Sequence, residues 1–363
     1  MCMKNSELLT NIISTLEDNH INLYHDISKE QLNNYIANLK DIDSWDNKRF
    51  DLEMLKLFHL FKDAHTSYFI PYKSLDQKLF YFDSKCYISI DDVYHEVKSI
   101  CGISIPTLSN TLTSLANYET NEWSMVVVNR LIRNGYTYEM LGCYDNGIDI
   151  VYDTGKVVAT ITDNLQGIPQ CPYSVHNDGK IAIIKYKSCS EYKDYPISQF
   201  TEDVKKAIED NNCTRYILDV RNNTGGNSEL LNPIQQYIMD KNMSGIVLIN
   251  PSVFSSGRFA VARFKQHCHA TIMGYSGTGG AAKSYGYNKN LQVEDKRFSC
   301  SIRLWDFSNI FGTTGSIQPD IKIPVTIDDF NHKSDIVLDK AINYLQREIK
   351  NESTNCNQES CKN

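Results

Sequence analysis

The regular alternation of strand and helix patterns after Lys180 constrains the fold more than any other feature of this sequence. Short apolar runs such as IAIIKY, YILDV and IVLIN are separated by amphipathic stretches of helical length, among them SQFTEDVKKAIEDN and SGRFAVARFKQHC. Strands joined in this way run parallel, because a crossover helix must return the chain to the edge where the first strand began. We therefore predict an α/β fold with a parallel sheet, whose catalytic groups collect at the carboxyl ends of the strands.

Two of these strand ends carry residues suited to acyl transfer. The run YILDVRNNTGG predicts a buried strand that ends in a sharp turn at Gly225 and Gly226. Further along, GIVLIN leads through PSVFSS into a helix pattern that begins near Ser255 and Ser256. Glycine amides can bind an oxyanion, and a serine at a helix start can act as a nucleophile. A simple tight turn and an ordinary helix N-cap are the structural alternatives for these residues.

Composition limits the class of protein and of partner. The 363 residues, of which 41% are hydrophobic and 22% charged, predict a soluble globular protein of two or three domains. The net charge of -7 and the lack of a basic block argue against nucleic acid and against membrane as partners. No apolar run of signal-peptide length is present, and the eleven cysteines contain no CxxC pair. We therefore predict a cytoplasmic protein with reduced cysteines.

Neither a metal nor a cofactor is predicted. His267, Cys268 and His269 form the closest group of side chains that bind metals. They lie where a helix should end before the strand ATIMG, so a C-terminal cap or a role in the core is favoured over metal binding.

The N-terminal half differs in character from the alternating region. Amphipathic helix patterns cover residues 6–17, 29–40 and 47–64, and strand-like segments such as KLFYFD and IDIVYD follow them. The sequence therefore predicts four parts: a helical bundle (1–74), a mixed, strand-containing module with a PDZ-like order of elements (75–166), an α/β catalytic core (167–350) and a polar tail (351–363).

The order of five segments resembles the C-terminal-processing and tricorn-type serine proteases, the tail-specific protease family. The segments are KDAHTSY (62–68), LDVRNNTGG (218–226), VLINPSVFSSGRF (247–259), ATIMGYSGTGG (270–280) and GSIQPDIKI (315–323). The resemblance implies a ClpP-like or crotonase-like core that hydrolyses peptide bonds in a polypeptide substrate without a cofactor. It also implies that Ser255 is the nucleophile, with an oxyanion hole from the Gly225 and Gly226 turn and the Ser256 amide. The oligomeric state stays open.

The general base distinguishes two branches of this family. One branch uses a lysine shortly after the strand that follows the nucleophile, and here that position is Gly280, with Lys283 three residues further along as an alternative base. The other branch uses a histidine from the helical N-terminal region, which corresponds to His65. Because an imidazole accepts a proton near neutral pH without prior desolvation, we predict a pair of Ser255 and His65.

The third catalytic residue is the least defined. The histidine-using branch has a glutamate near GxxPD that orients the histidine, and the corresponding residue here is Thr313, with Asp306 and Asp320 as alternatives. Asp219 and Arg221 are expected to form a structural pair at the turn. Two other functions remain open: peptide binding without catalysis on the same scaffold, and an acyl-transfer or thioester-handling activity of the crotonase type.

Overall fold

The computed structural model of the chain describes residues 3–162 and 170–360, of which residues 353–360 are described as backbone alone. The predicted boundary between module and core, at residues 166 and 167, lies outside the described residues, as does the end of the predicted polar tail, residues 361–363. None of the described helices combines the length and the apolar character needed to cross a membrane.

The described chain contains both helices and strands. The α-helices are α1 (Asn5–Asn19), α2 (Lys29–Ala37), α3 (Asn47–His59), α4 (Ile105–Thr113), α5 (Asn121–Ile132), α6 (Gly135–Met140), α7 (Ile197–Asp210), α8 (Asn232–Asp240), α9 (Ser256–His267), α10 (Ser308–Phe311), α11 (Ile327–Asn331) and α12 (Ile336–Ser360). The strands are β1 (Tyr68–Phe69), β2 (Ser74–Leu75), β3 (Leu79–Phe82), β4 (Lys85–Ile90), β5 (Val93–Ile100), β6 (Ile103–Ser104), β7 (Ile148–Tyr152), β8 (Gly155–Ala159), β9 (Ile161–Thr162), β10 (Tyr173–Asp178), β11 (Ile181–Tyr186), β12 (Arg215–Asp219), β13 (Ser244–Ile249), β14 (Thr271–Gly274), β15 (Lys283–Val293), β16 (Lys296–Asp306) and β17 (Ile321–Lys322).

The described residues divide into two compact units. The first unit holds residues 3–162 together with residues 281–306, and the second holds residues 170–280 and 307–360. The hairpin of β15 and β16 therefore belongs to the first unit, a division that chain order alone does not predict.

Helices α2 and α3 of the first unit begin at side-chain caps. Ser28 and Gln31 satisfy each other's backbone N–H groups at the start of α2, the reciprocal arrangement known as a capping box. Asp46 caps α3 by accepting a hydrogen bond of 2.8 Å from the Arg49 N–H. The apolar faces of the helices are buried in the core of this unit, which confirms the predicted helical N-terminal region.

The sheets of the first unit are antiparallel. One has the strand order β3-β4-β5-β7-β8, and another has the order β1-β16-β15. Tyr68 of β1 pairs with Phe298 of β16. This pairing fixes the segment just after His65 against the β15–β16 hairpin.

The second unit is built on a six-stranded sheet of order β10-β11-β12-β13-β14-β17. The pairs from β11 through β14 to β17 are parallel, which confirms the predicted α/β sheet, and β10 adds an antiparallel edge strand that the sequence pattern did not indicate. Helix α12 covers one face, where Val337 and Leu345 pack in the same core as Ile217 and Leu248. This helix continues to Ser360, into the segment predicted as a polar tail.

Candidate active site

Ser255 lies in the connection between β13 and α9, immediately before the first helical residue. Its φ is 48° and its ψ is -125°. Non-glycine residues rarely adopt a positive φ, and this combination also lies outside the left-handed helical region, so the backbone is strained at Ser255. Although Ser255 occupies the N-cap position, its side chain accepts no capping hydrogen bond. The hydroxyl is therefore not used as a helix cap, which was the structural alternative for this residue.

The strained turn is fixed to the neighbouring turn that follows β12. The Phe254 N–H donates a 3.0 Å hydrogen bond to the Asn223 carbonyl oxygen, and a Cβ on Gly257 would lie 2.4 Å from that same oxygen. Asn222 and Asn250 exchange two hydrogen bonds, of 3.0 and 2.8 Å. Because β12 and β13 are adjacent parallel strands, their turns emerge side by side and these contacts lock them together.

Gly225 lies directly against Ser255. Its φ is 110°, and a Cβ at this position would lie 2.7 Å from the Ser255 Cβ and 3.2 Å from the Ser255 Oγ. A glycine tolerates such a φ and leaves room for the close approach, whereas any other residue would meet both a strained backbone and a steric clash. The second unit thus brings together the TGG turn and the serine that the sequence analysis singled out.

The backbone N–H groups around Ser255 differ in whether they already have a hydrogen-bond acceptor. The Gly225 N–H donates to Asn223 Oδ1 at 2.9 Å and is therefore already used. Within the described part of the chain, no acceptor is found for the N–H groups of Gly226 and Ser256. The Ser256 hydroxyl donates to the Gly226 carbonyl oxygen at 2.6 Å, which ties the two residues together. The sequence named both glycines as candidate oxyanion donors, and of the two only Gly226 has an N–H group without an acceptor in the described residues.

Arg258 supports Ser255 from the helix side and is fully buried. Its backbone N–H and its Nε lie 3.1 and 3.3 Å from the Ser255 carbonyl oxygen. A Cβ on Gly280 would lie only 2.3 Å from the Arg258 Cδ. The arginine side chain therefore fills the space beside position 280, which is where the lysine-using branch of the resembled family has its base.

His65 lies in the first unit, in the connection between α3 and β1, and only 6% of its surface is exposed. Its N–H donates to Asp63 Oδ1 at 2.9 Å, and its carbonyl oxygen accepts a 2.7 Å hydrogen bond from Ser299 Oγ. The ring packs over the backbone of β15, where a Cβ on Gly286 would lie 3.4 Å from the His65 Cε1. Hydrogen bonds thus hold both the N–H group and the carbonyl oxygen of His65.

A buried hydrogen bond between His20 and Asp63 anchors this arrangement. His20 Nε2 lies 2.9 Å from Asp63 Oδ2, and both side chains are fully buried. The Thr66 hydroxyl donates to the same carboxylate oxygen at 2.6 Å. His20 Nδ1 accepts the Asn22 N–H, so the proton on Nε2 is the one donated to Asp63. Burial raises the pKa of Asp63, but hydrogen bonds from His20 and Thr66 and the nearby charge of His65 outweigh it, and the pKa is lowered.

The sequence patterns described above assigned no role to His20 or to Asp63. Asp63 stands two residues before His65 in KDAHTSY, so its short spacing was a usable signal. His20 follows α1 and is remote from the motif in sequence, so no local pattern pointed to it.

The other predicted residues form local pairs. The Lys283 Nζ lies 3.1 Å from Asp306 Oδ2, and both side chains are exposed. Asp320 accepts hydrogen bonds from the Lys265 ammonium group at 2.7 Å and from a backbone N–H of β14 at 2.8 Å. Thr313 Oγ1 accepts the backbone N–H two residues further along at 3.1 Å. Each of the two aspartates is thus paired with a lysine of its own unit.

Asp219 and Arg221 form the predicted structural pair. Two guanidinium nitrogens of Arg221 donate to the two oxygens of Asp219, each at 2.9 Å. Lys187 also contacts Asp219 at 2.6 Å, and Arg221 reaches Asp335 at 2.7 Å. This network holds the start of the turn after β12 to α12, and the predicted pair is present.

No metal site is found among the described side chains, since none of their His, Cys, Asp and Glu residues form a group of three or more that could hold an ion. Helix α9 ends at His267, and the Cys268 N–H caps it by donating to the Phe264 carbonyl oxygen at 3.1 Å. The predicted cap at this position is confirmed.

Comparison with known proteins finds a family match for part of the chain. Residues 180–244 match the sequence profile of peptidase family S41. The matched segment runs from the residue before β11 to the first residue of β13, and it is similar to that family. This similarity supports a serine peptidase. Among curated protein sequences, none matches the chain significantly.

Three solved structures share the fold at low sequence identity. Mature CPAF complexed with lactacystin has a TM-score of 0.68 and 12% identity, over 96% of this chain and 99% of that one. A putative peptidase from Parabacteroides merdae has a TM-score of 0.52 and 14% identity, over 95% and 97% of the two chains. The photosystem II D1 C-terminal processing protease has a TM-score of 0.50 and 10% identity, over 93% and 99%. These likenesses confirm the predicted α/β class with a helical N-terminal region.

Proposed function

We propose that Ser255 is the nucleophile of this peptidase and that His65 is its general base. The observation that carries the proposal is the conformation of Ser255, which combines a positive φ, a hydroxyl not used for capping and close contact with Gly225. Hydrolases often place a nucleophilic serine on a strained turn between a strand and a helix, because this exposes the hydroxyl. A purely structural serine at the same place would cap the helix.

The proposed reaction has two stages. The Ser255 Oγ attacks the carbonyl carbon of the peptide bond while His65 accepts the hydroxyl proton. The oxyanion that forms binds the N–H groups of Gly226 and Ser256, and one such donor contributes about 3–4 kcal/mol to the stability of the transition state. His65 then gives its proton to the departing amine as the C–N bond breaks. Water repeats the sequence on the acyl-enzyme, which releases the acid and restores Ser255.

Two observations favour His65 over Lys283 as the base. A lysine acts as a base near neutral pH only after it is desolvated, and Lys283 is exposed and paired with Asp306. The family position of the lysine, Gly280, has no room for a side chain beside Arg258. His65 is buried, and two hydrogen bonds hold its backbone. A general base must keep one orientation, and these contacts restrict the movement of the residue.

Asp63 is proposed as the carboxylate that supports His65. Its Oδ1 holds the His65 backbone, and its charge lies close enough to His65 to affect the pKa of the carboxyl itself. A buried negative charge near the ring stabilises the imidazolium that forms when Ser255 loses its proton. Asp63 thereby compensates, through space, for the glutamate that Thr313 replaces.

Cleavage of an unfolded polypeptide tests the proposal. Ser255→Ala should abolish turnover, and His65→Ala should lower kcat by about 10²–10⁴, the usual contribution of a general base. Ser252→Ala and His332→Ala serve as matched controls, because each removes the same type of side chain from the second unit outside the proposed site, and both should keep the activity of the unchanged protein. Turnover by the Ser255→Ala protein at the original rate would exclude the assignment.

Peptide binding without turnover is the alternative, and one observation favours it. Thr313 carries no charge, and Asp306 and Asp320 are each paired with a lysine. Tight binding of extended peptides by the unchanged protein, with no cleavage and with equal binding by Ser255→Ala, would support this alternative. The cytoplasmic location and any oligomer also remain proposals.

A further inference from the structure

One face of β16 continues from His65 to an exposed arginine. Alternate residues of a strand share a face, so Ser299, Arg303 and Trp305 lie on one side of β16. The Ser299 hydroxyl binds the His65 carbonyl oxygen at 2.7 Å, which identifies this as the face beneath His65. Arg303 therefore projects from the same face, further along the strand.

The cross-strand neighbour of Arg303 is the residue on which the His65 ring rests. Gly286 pairs with Arg303 in the β15–β16 hairpin. A Cβ on Gly286 would lie 3.4 Å from the His65 Cε1 and 3.2 Å from the Trp305 Cδ1. Directly paired residues of antiparallel strands have their Cβ positions about 4.5–5.5 Å apart. The Arg303 side chain thus leaves the backbone directly opposite the residue that the imidazole contacts.

Aromatic rings hold the guanidinium of Arg303. Its Cζ lies 4.8 Å from the centre of the Tyr287 ring and 5.9 Å from that of Trp305. Tyr287 has a φ of 56°, which interrupts the pairing between Gly286 and Asn288. A tyrosine seldom accepts this conformation, and here it is associated with a ring that lies against Arg303.

Arg303 also lacks a carboxylate partner. Arg221 and Arg263 bind carboxylates in their own unit, at 2.7 Å in each case. In the described part of the chain no carboxylate forms an ion pair with Arg303, although Asp and Glu outnumber Lys and Arg by 44 to 37 in the sequence. The donors of this exposed guanidinium are therefore available to a ligand.

We propose that Arg303, supported by Tyr287 and Trp305, binds a carboxylate of the peptide substrate close to the bond that is cleaved. A guanidinium offers two parallel N–H groups that match the two oxygens of a carboxylate. The carboxylate comes either from an Asp or Glu side chain or from the C-terminus of the peptide. The inference rests on the proposed function, because it is the role of His65 that places Arg303 near the reaction.

Peptide binding to the full-length Ser255→Ala protein tests the inference without requiring turnover. The probes are fluorescent peptides with an amidated C-terminus in which one Glu replaces Gln at each position in turn, and the all-Gln peptide with a free C-terminal carboxylate. We expect the carboxylate at one place to raise the affinity about tenfold or more. The position at which the gain appears distinguishes a side-chain carboxylate from a terminal one.

Substitutions on β16 test whether Arg303 causes this gain in affinity. In Ser255→Ala protein that also carries Arg303→Gln, the acidic peptide should bind no better than its Gln counterpart. Arg303→Glu should reverse the preference towards a Lys-containing peptide. Arg297→Gln, which removes an exposed arginine from the same strand, is the matched control and should keep the gain.

Two results would overturn the inference: no carboxylate raises the affinity at any position, or the gain survives in Arg303→Gln. Both are separable from failure of the proposed function. A Ser255→Ala protein that still cleaves polypeptide refutes the nucleophile, whereas loss of the carboxylate preference in Arg303→Gln is a statement about binding alone.

Discussion

The Ser255 region of the second unit and the His65 region of the first differ in what fixes the reactive side chain. Ser255 is held by backbone: a strained φ, hydrogen bonds between two turns, and a glycine where a Cβ would collide. His65 is held by a buried network of side chains centred on the hydrogen bond between His20 and Asp63. We expect the Ser255 region to be sensitive to substitutions that add atoms. We expect the His65 region to be sensitive to substitutions that remove charge and to low pH.

The largest expected effect is on the Ser255 region. Gly225→Ala would place a Cβ 2.7 Å from the Ser255 Cβ on a residue with φ of 110°. Since a displacement of about 1 Å at a reactive group can cost 10²-fold in rate, we expect labelling of Ser255 by a fluorophosphonate to slow by at least about a hundredfold. The rate of labelling, measured on intact protein by mass spectrometry, checks this.

Gly312→Ala is the matched control for Gly225→Ala. Gly312 also has a positive φ, of 66°, and lies in the same unit, but nothing is found within 4 Å of its Cβ position. The variant should lose about 1 kcal/mol of stability from backbone strain and label at the original rate. If both variants label equally slowly, strain in general and not the contact with Ser255 is responsible.

Asp63→Asn should have the largest effect on the stability of the first unit. The substitution removes the charged acceptor of the hydrogen bonds from His20 and Thr66, and a hydrogen bond to a charged group contributes about 1.5–3 kcal/mol. The three tryptophans, Trp45, Trp123 and Trp305, all lie in the first unit, so tryptophan fluorescence during urea unfolding reports on this unit. Asp306→Asn, at an exposed pair of the same unit, should change the free energy of unfolding by less than about 1 kcal/mol.

The same variant predicts a dependence on pH. The pKa of Asp63 is lowered in the folded protein, so its stabilising contribution is fully present above the unfolded value of about 4 and is lost as the pH falls further. The difference in unfolding free energy between the unchanged protein and Asp63→Asn should therefore be largest near neutrality and shrink below about pH 4. A difference that grows on acidification would contradict the assignment of charge to Asp63.

A smaller effect is expected beside Arg258. Gly280→Ala adds a Cβ 2.3 Å from the Arg258 Cδ, and overpacking of this kind costs about 1–3 kcal/mol. The loss should be smaller when Arg258→Met is already present, because the clashing group is then more flexible. A double-mutant cycle on thermal unfolding measures this coupling, and strictly additive losses would show that the two residues do not compete for the same space.

The smallest effect is expected at Lys283. Its ion pair with Asp306 is exposed, so Lys283→Ala should change stability by less than about 1 kcal/mol. It should also leave the labelling rate of Ser255 unchanged, because His65 and not this lysine is proposed as the base. A hundredfold loss of labelling in Lys283→Ala would transfer that role to the lysine.

The sequence predicted the second unit better than the first. The strands β11 to β14 follow from short apolar runs, and their parallel order follows from the helices between them. The place of Gly225 near Ser255 follows from adjacent strand ends. The strain at Ser255 does not, because a positive φ on a serine leaves no mark in composition or spacing, and the pattern there indicated an ordinary cap.

The His65 region depends on contacts between distant parts of the chain. His20, Asp63 and Ser299 meet only because the β15–β16 hairpin, late in the sequence, packs with the N-terminal helices. No periodicity connects residues so far apart. A single sequence could therefore nominate His65 from its place in a motif, but not the network that holds it.

The most direct test of the account is the pH dependence of Ser255 labelling by a fluorophosphonate in the unchanged protein and in His65→Ala. If His65 is the base of Ser255, we expect labelling at Ser255 alone, at a rate that rises as a histidine loses its proton, and a labelling rate lower by about 10²–10⁴ in the His65→Ala protein. Equal labelling of both proteins, or labelling of another residue, would contradict it.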